Sequence, residues 1–184
     1  ISPQSGPAVS SGVVVKAANA YFRKINDEGG VNGRKIRLLI LDDGYNPART
    51  VEMARKLVEE EEVLATFLTL GTAPNTAIQR YMNQKKVPHL FVSTGASKFG
   101  DHKNFPWTMG WQPTGYTEAK IFVGHLLESK PNAKIAVFYQ NDDFGKDYVK
   151  GFQDPGSSAS VLRPWSFSSV QSRSPMPGAA SKST

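Results

Sequence analysis

The sequence predicts an α/β fold with a mainly parallel sheet covered by helices, and three observations carry that prediction. Segments of helical period alternate with short apolar runs from residue 12 to residue 153. Those runs are almost unbroken in their apolarity, as strands buried on both faces are. Turn residues separate them, so each strand leads into a crossover helix, the connection that parallel pairing needs.

The first helix is expected over Gly12 to Asn26, where Val14, Ala18, Tyr21 and Ile25 make one apolar stripe at steps of four and three. Gly29-Gly30 ends it, Asn32-Gly33 offers a tight turn, and Ile36 to Leu41 reads as a buried strand despite Arg37. Asn46-Pro47 supplies a cap and a helix-start proline for a helix with Val51, Ala54 and Val58 inward, ending near Glu61. Val63 to Leu70 is the next strand. A helix begins at Pro74 with Ala77, Ile78, Tyr81 and Met82, and Val87 to Val92 is a short strand. An irregular stretch then leads to a strand at Trp107 to Gly110 and a crossing point at Gln112-Pro113. A helix with Ala119, Phe122, Val123 and Leu126, a strand over 134–139 and a helix over Phe144 to Phe152 complete the series. The strands at 36–41, 63–70, 88–92 and 134–139 are expected to be parallel within their sheets. From Pro155, Ser, Pro, Gly and Ala dominate and both periods vanish, so residues 154–184 are expected to be disordered or foreign to the fold.

Composition narrows the function. The 184 residues, 39% hydrophobic and 21% charged, suit one globular domain or two small lobes. No apolar run approaches the roughly 18 residues of a membrane helix, so no membrane insertion is expected. The net charge of +6 is interspersed with acids, as where Arg55 and Lys56 precede Glu59 to Glu62, which argues against a nucleic-acid partner. The absence of cysteine excludes disulfides, thiolate zinc and a thiol nucleophile. Dinucleotide, phosphate-loop and nucleophile-elbow motifs are absent, and His89, His102 and His125 lack metal-site spacing. Neither catalysis nor a metal or cofactor is expected.

In open parallel sheets the binding crevice lies beyond the carboxyl ends of the strands. Gly71-Thr72 brings bare backbone and a helix start to one such end, a combination that suits a carboxylate, and Ser93 to Ser97 does the same with small residues and hydroxyls. Ordinary caps and tight turns would use the same residue types. Asp42-Asp43 resembles the acidic pair of a phosphoacceptor receiver domain, but no lysine closes a later strand end, which favours solvated turn acids. Trp107, Trp111 and Tyr116 interleave with glycine and proline at the crossing. Core packing accounts for them, with Trp111 the best candidate for a cleft wall.

Four segments in order, Ser5-Gly6-Pro7, Asn26 to Gly33, Leu41-Asp42-Asp43 and Asp142-Asp143-Phe144-Gly145, resemble the solute-binding proteins of the Leu/Ile/Val-binding type. The similarity spans about residues 1 to 153. It implies the type I periplasmic-binding-protein fold: two parallel-sheet α/β lobes that close on a small solute and deliver it to an ABC permease. Residues 1–113 would form a partial N-terminal lobe and 114–153 the beginning of the second. The resemblance also implies a fragment that lacks the family's first strand and most of the second lobe, leaving a gap inside the first sheet. By the same resemblance, Gly71, Thr72, Gly95, Ala96 and Ser97 would grip the carboxylate of an amino acid. Ser11 stands where the family often has a pocket aromatic, Phe144 matches an aromatic at the cleft edge, and Trp111 and Tyr116 fall at the crossing. An amino acid or an apolar or aromatic carboxylate is the implied solute, and the periplasm the implied compartment. A small-molecule or amide sensor on the same fold is the competing reading.

Overall fold

The computed structural model describes residues 1–154, 160–161 and 165–167. A short 3-10 turn (Val9–Gly12) leads into α1 (Val13–Asp27). Its inward face is one position away from the expected stripe. Val15 is buried and Phe22 half-buried, whereas Val14 and Tyr21 are 41% and 60% exposed. The helix offers two apolar stripes offset by one residue. Aromatic packing decides between them, because the Phe22 ring lies 5.4 Å from that of Phe67, which in turn meets Phe91 edge-on at 5.5 Å.

The Asn26 to Gly33 segment is a helix stop with a built-in clamp. Gly29 and Gly30 adopt φ of 103° and 78°, which suit residues without a Cβ. The Asn26 side chain donates to the Ile36 carbonyl and accepts from the Ile36 amide, both at 2.7 Å. That pair fixes where residues 36–41 start. These residues run extended but form no strand, a departure from the expectation with a simple cause. Among the described residues, the backbone of 37–40 has no hydrogen-bonded neighbour.

Next come α2 (Pro47–Arg55), β1 (Thr66–Phe67), α3 (Thr72–Lys85), β2 (His89–Val92) and β3 (Thr108–Gly110). Asn46 caps α2 by accepting from the Ala48 and Arg49 amides at 2.9 and 3.3 Å, and Pro47 fills the first turn as its sequence position demands. A π turn (Lys56–Glu60) carries the helix to its end. β1, β2 and β3 pair in that order, all parallel, with Thr66 opposite His89 and His89 opposite Thr108. Ile1, Ala54, Leu57, Ile78 and Met82 form the buried core between helices and sheet.

Ile1 and Ser2 lie between residues 36–41 and β1: the Ser2 amide donates to Leu41 at 3.0 Å, and the Leu70 amide donates to Ile1 at 3.3 Å. Alongside 36–39 and 63–67 the same lane is a cavity of about 840 Å³, walled by Phe22, Leu38, Leu39, Leu57, Val63 and Phe67 among others.

Beyond the crossing lie α4 (Gly115–Ser129), β4 (Lys134–Ile135), β5 (Phe138–Gln140) and α5 (Asp143–Phe152). The single strand expected over 134–139 is split around Ala136 and Val137. α4 and α5 pack closely because Gly151 sits against Ala119, where a Cβ would come within 2.6 Å of the alanine methyl. Two short strands, β6 (Ser160–Val161) and β7 (Trp165–Phe167), pair in parallel with β4 and β5. This corrects the reading that no strand follows Pro155. Pieces of two or three residues are too short for a period to register in the sequence. The remaining residues of the tail lie outside the described set.

Candidate functional site

A cavity of about 410 Å³ opens at the carboxyl end of β2, facing the start of α4 and the first turns of α5. Gly95 forms its floor, Trp111 and Pro113 one side, Glu118 of α4 another, and Phe144 and Tyr148 of α5 the far wall. Gly95 has to be small here: a Cβ would lie 2.8 Å from the Pro113 carbonyl, and the Gly95 carbonyl accepts from the Gly115 amide at 2.9 Å. Phe144 packs against the buried cluster of Val92, Ala96 and Phe99 and meets Tyr148 edge-on at 5.1 Å. The wall is therefore anchored in the core on one side and open to the cavity on the other.

The polar groups around it are largely engaged with one another. Thr72 and Thr94 share a hydroxyl hydrogen bond of 2.6 Å, and Thr94 Oγ1 accepts from the Ala96 amide at 3.2 Å. The Ser97 amide, expected to hold a solute carboxylate, donates to Asp147 Oδ2 at 2.7 Å, and Lys98 pairs with Asp143 at 2.9 Å. Asp147 is buried. The Tyr148 hydroxyl donates to Glu118 Oε2; burial and that carboxylate push its pKa up to about 12.

A second strand end adjoins this one. Gly71 takes φ 101° and lies under the Tyr45 ring, which a side chain at Gly71 would strike. The Tyr45 hydroxyl reaches both the Thr72 amide and the Gln140 side chain, linking the β1 end to β5, and burial raises its pKa.

Of the residues singled out in the sequence, the structure brings Gly95, Trp111 and Phe144 to the cavity wall and sets Ala96 and Ser97 beside it. Gly71 and Thr72 occupy the neighbouring strand end beneath Tyr45. Tyr116 is directed elsewhere, donating to Asp154 with Lys120 5.6 Å from its ring centre, and Ser11 sits in the 3-10 turn, its amide bonded to Ala8. Neither lines the cavity. Glu118, Tyr148, Tyr45 and Gln140 are the residues the sequence did not mark. Tyr148 stands one turn from Phe144 and Tyr45 follows the strand-end Gly44, so position hinted at both.

Asp42 and Asp43 are turn acids. Asp42 accepts from the amides of Gln4, Ser5 and Gly44 and from the Ser5 hydroxyl at 2.6 Å, and this hydrogen bonding, led by Ser5, pulls its pKa down to about 2. Asp43 binds the Thr50 hydroxyl at 2.7 Å and the Tyr45 amide at 3.1 Å. Among the described residues no helix is long and apolar enough to cross a membrane.

The model of the family described as periplasmic binding protein matches residues 1–160. The chain belongs to that family. As a periplasmic binding protein it is 37% identical over 149 residues to the Leu/Ile/Val-binding protein homolog 1 of Brucella abortus, covering 78% of this chain and 38% of the relative. A substrate-binding periplasmic protein from Ralstonia solanacearum superposes with a TM-score of 0.79 at 25% identity, over 91% of this chain and 48% of the other. A branched-chain amino acid ABC transporter protein from Thermus thermophilus, solved with bound valine, gives 0.80 at 18% identity over 90% and 44%. The type I binding-protein fold with parallel α/β sheets is thereby shown. The chain spans less than half the length of these relatives.

Proposed function

We propose that this periplasmic binding protein captures an amino acid or another small carboxylate-bearing solute outside the cytoplasmic membrane and presents it to an ABC permease. The 410 Å³ cavity carries the proposal: it lies beyond the strand ends, and residues from both sides of the Pro113 crossing wall it. Residues 1–113 supply the first lobe and 114–153 begin the second. Solute gripped between them is buried by hinged closure, which needs no chemical step. Trp111 and Phe144 provide apolar faces, while Thr72, Gly95, Ala96 and Ser97 line the polar end.

Calorimetry on the full gene product, titrated with branched-chain and aromatic amino acids, tests this. Phe144→Ala and Thr72→Ala are expected to weaken binding by about 1–3 kcal/mol each, roughly 5- to 150-fold. Unchanged affinity in both would place the site elsewhere.

A further inference from the structure

The charges around the cavity carry a more specific inference, which rests on the solute-binding reading above. The residues lining it include one ionisable carboxylate, Glu118, and no lysine or arginine. One Glu118 oxygen receives the Tyr148 hydroxyl, and no hydrogen bond or cation among the described residues reaches Oε1. Around it stand the rings of Trp111, Phe144 and Tyr148. A half-buried carboxylate with one free oxygen among aromatic faces suits an organic cation, which the ring quadrupoles and the carboxylate both attract.

The nearby donors point the same way. Asp147 already holds the Ser97 amide, and Lys98 is committed to Asp143. A simple carboxylate entering this cavity would find a like charge at Glu118 and no free cation to offset it.

We infer that Glu118 is the specificity-determining residue of the cavity and that it receives an ammonium group of the solute, with Tyr148 as the residue that positions its carboxylate. An amino acid then lies with its ammonium at Glu118 and its carboxylate directed away, toward the strand ends.

Three probes of one carbon skeleton separate the charges: L-leucine, 3-methylbutylamine, which lacks the carboxylate, and 4-methylpentanoate, which lacks the amine. Each is titrated by calorimetry into the full gene product. Both amine-bearing probes should bind at least about tenfold more tightly than the acid. Glu118→Gln, which keeps the volume, should remove that preference and leave the acid unchanged or improved. Tyr148→Phe should reduce it partially, and if Glu118→Gln fails to fold, the wild-type ranking with Tyr148→Phe decides. An acid that binds as tightly as leucine, with Glu118→Gln silent, overturns the role of Glu118 while leaving solute capture intact. Failure of all three probes to bind overturns both readings.

Discussion

On either side of β1 lies an extended apolar segment, and the two differ in one respect. β2 is hydrogen-bonded to β1 and to β3, whereas residues 36–41 are separated from β1 by the 840 Å³ lane that Ile1 and Ser2 enter only at its carboxyl end. The composition of the two segments is similar; their partners are not. On the paired flank, Val92, Ile78 and Met82 are fully buried and His89 has no exposed surface. On the open flank Leu64 is 91% exposed and residues 36–41 remain half-exposed or exposed except at their anchored ends. Apolar character selects the segment, but only a neighbour with free backbone groups turns it into a strand.

The largest consequence is for point substitutions. Ile78→Ala on the paired flank removes a fully buried side chain and is expected to cost about 2–5 kcal/mol in chemical denaturation. A loss below about 1 kcal/mol there would mean that the flanks do not differ as described.

Acid should expose the same asymmetry. The Asn75 amide donates to the carbonyls of Thr69 and Gly71 at 2.8 and 2.6 Å, which turns its oxygen toward His89 Nε2 at 2.7 Å. Nε2 therefore carries the proton, and Nδ1 is buried without a partner. Protonating it would bury a charge, so burial, aided by the terminal amine of Ile1, lowers the His89 pKa from 6.5 to about 4. The unfolded state then binds the extra proton between those values. Stability from this group is complete above pH 6.5 and falls by about 3 kcal/mol as the pH drops to about 4. Urea midpoints measured across that window should show the fall, and His89→Gln should flatten it. An unaltered slope in the variant would assign the loss to other groups.

Hydrogen exchange reads the backbone directly. Amides of 37–40 should exchange at least about a hundredfold faster than those of 90–92, equivalent to an opening gap of about 3 kcal/mol. Equal protection would show that the open lane is filled in solution.

The flanks also explain what the sequence could show. Helices were legible because their determinants are local: Asn46 before Pro47, Thr114 accepting from Thr117, Asp142 accepting from Gly145. Strand extents were not, since pairing of 36–41 depends on residues far away in sequence. In the candidate site, Gly95 and Phe144 could be marked from strand-end position and motif. Glu118 and Tyr148 could not, because their meeting depends on how α4 packs on α5. Tyr45 escaped because its φ of 59°, unusual for a tyrosine, swings it over Gly71.

The smallest expected effect is the sharpest test of the open lane. Leu64 lines that lane yet is 91% exposed, so Leu64→Ala should change stability by no more than about 0.5 kcal/mol. Suppose five apolar residues are joined ahead of Ile1. Their backbone would continue the direction set by the Ser2 to Leu41 and Leu70 to Ile1 hydrogen bonds, parallel to β1, and their side chains would cover the lane walls. Leu64 would then lose its exposure, and its truncation would leave a cavity. In the extended chain the same substitution should cost about 2 kcal/mol or more. The difference is a coupling between two changes, and a double-mutant cycle measures it without reference to overall stability. Zero coupling would mean that the added segment does not enter the lane, and that the cavity beside residues 36–41 is not a strand position at all.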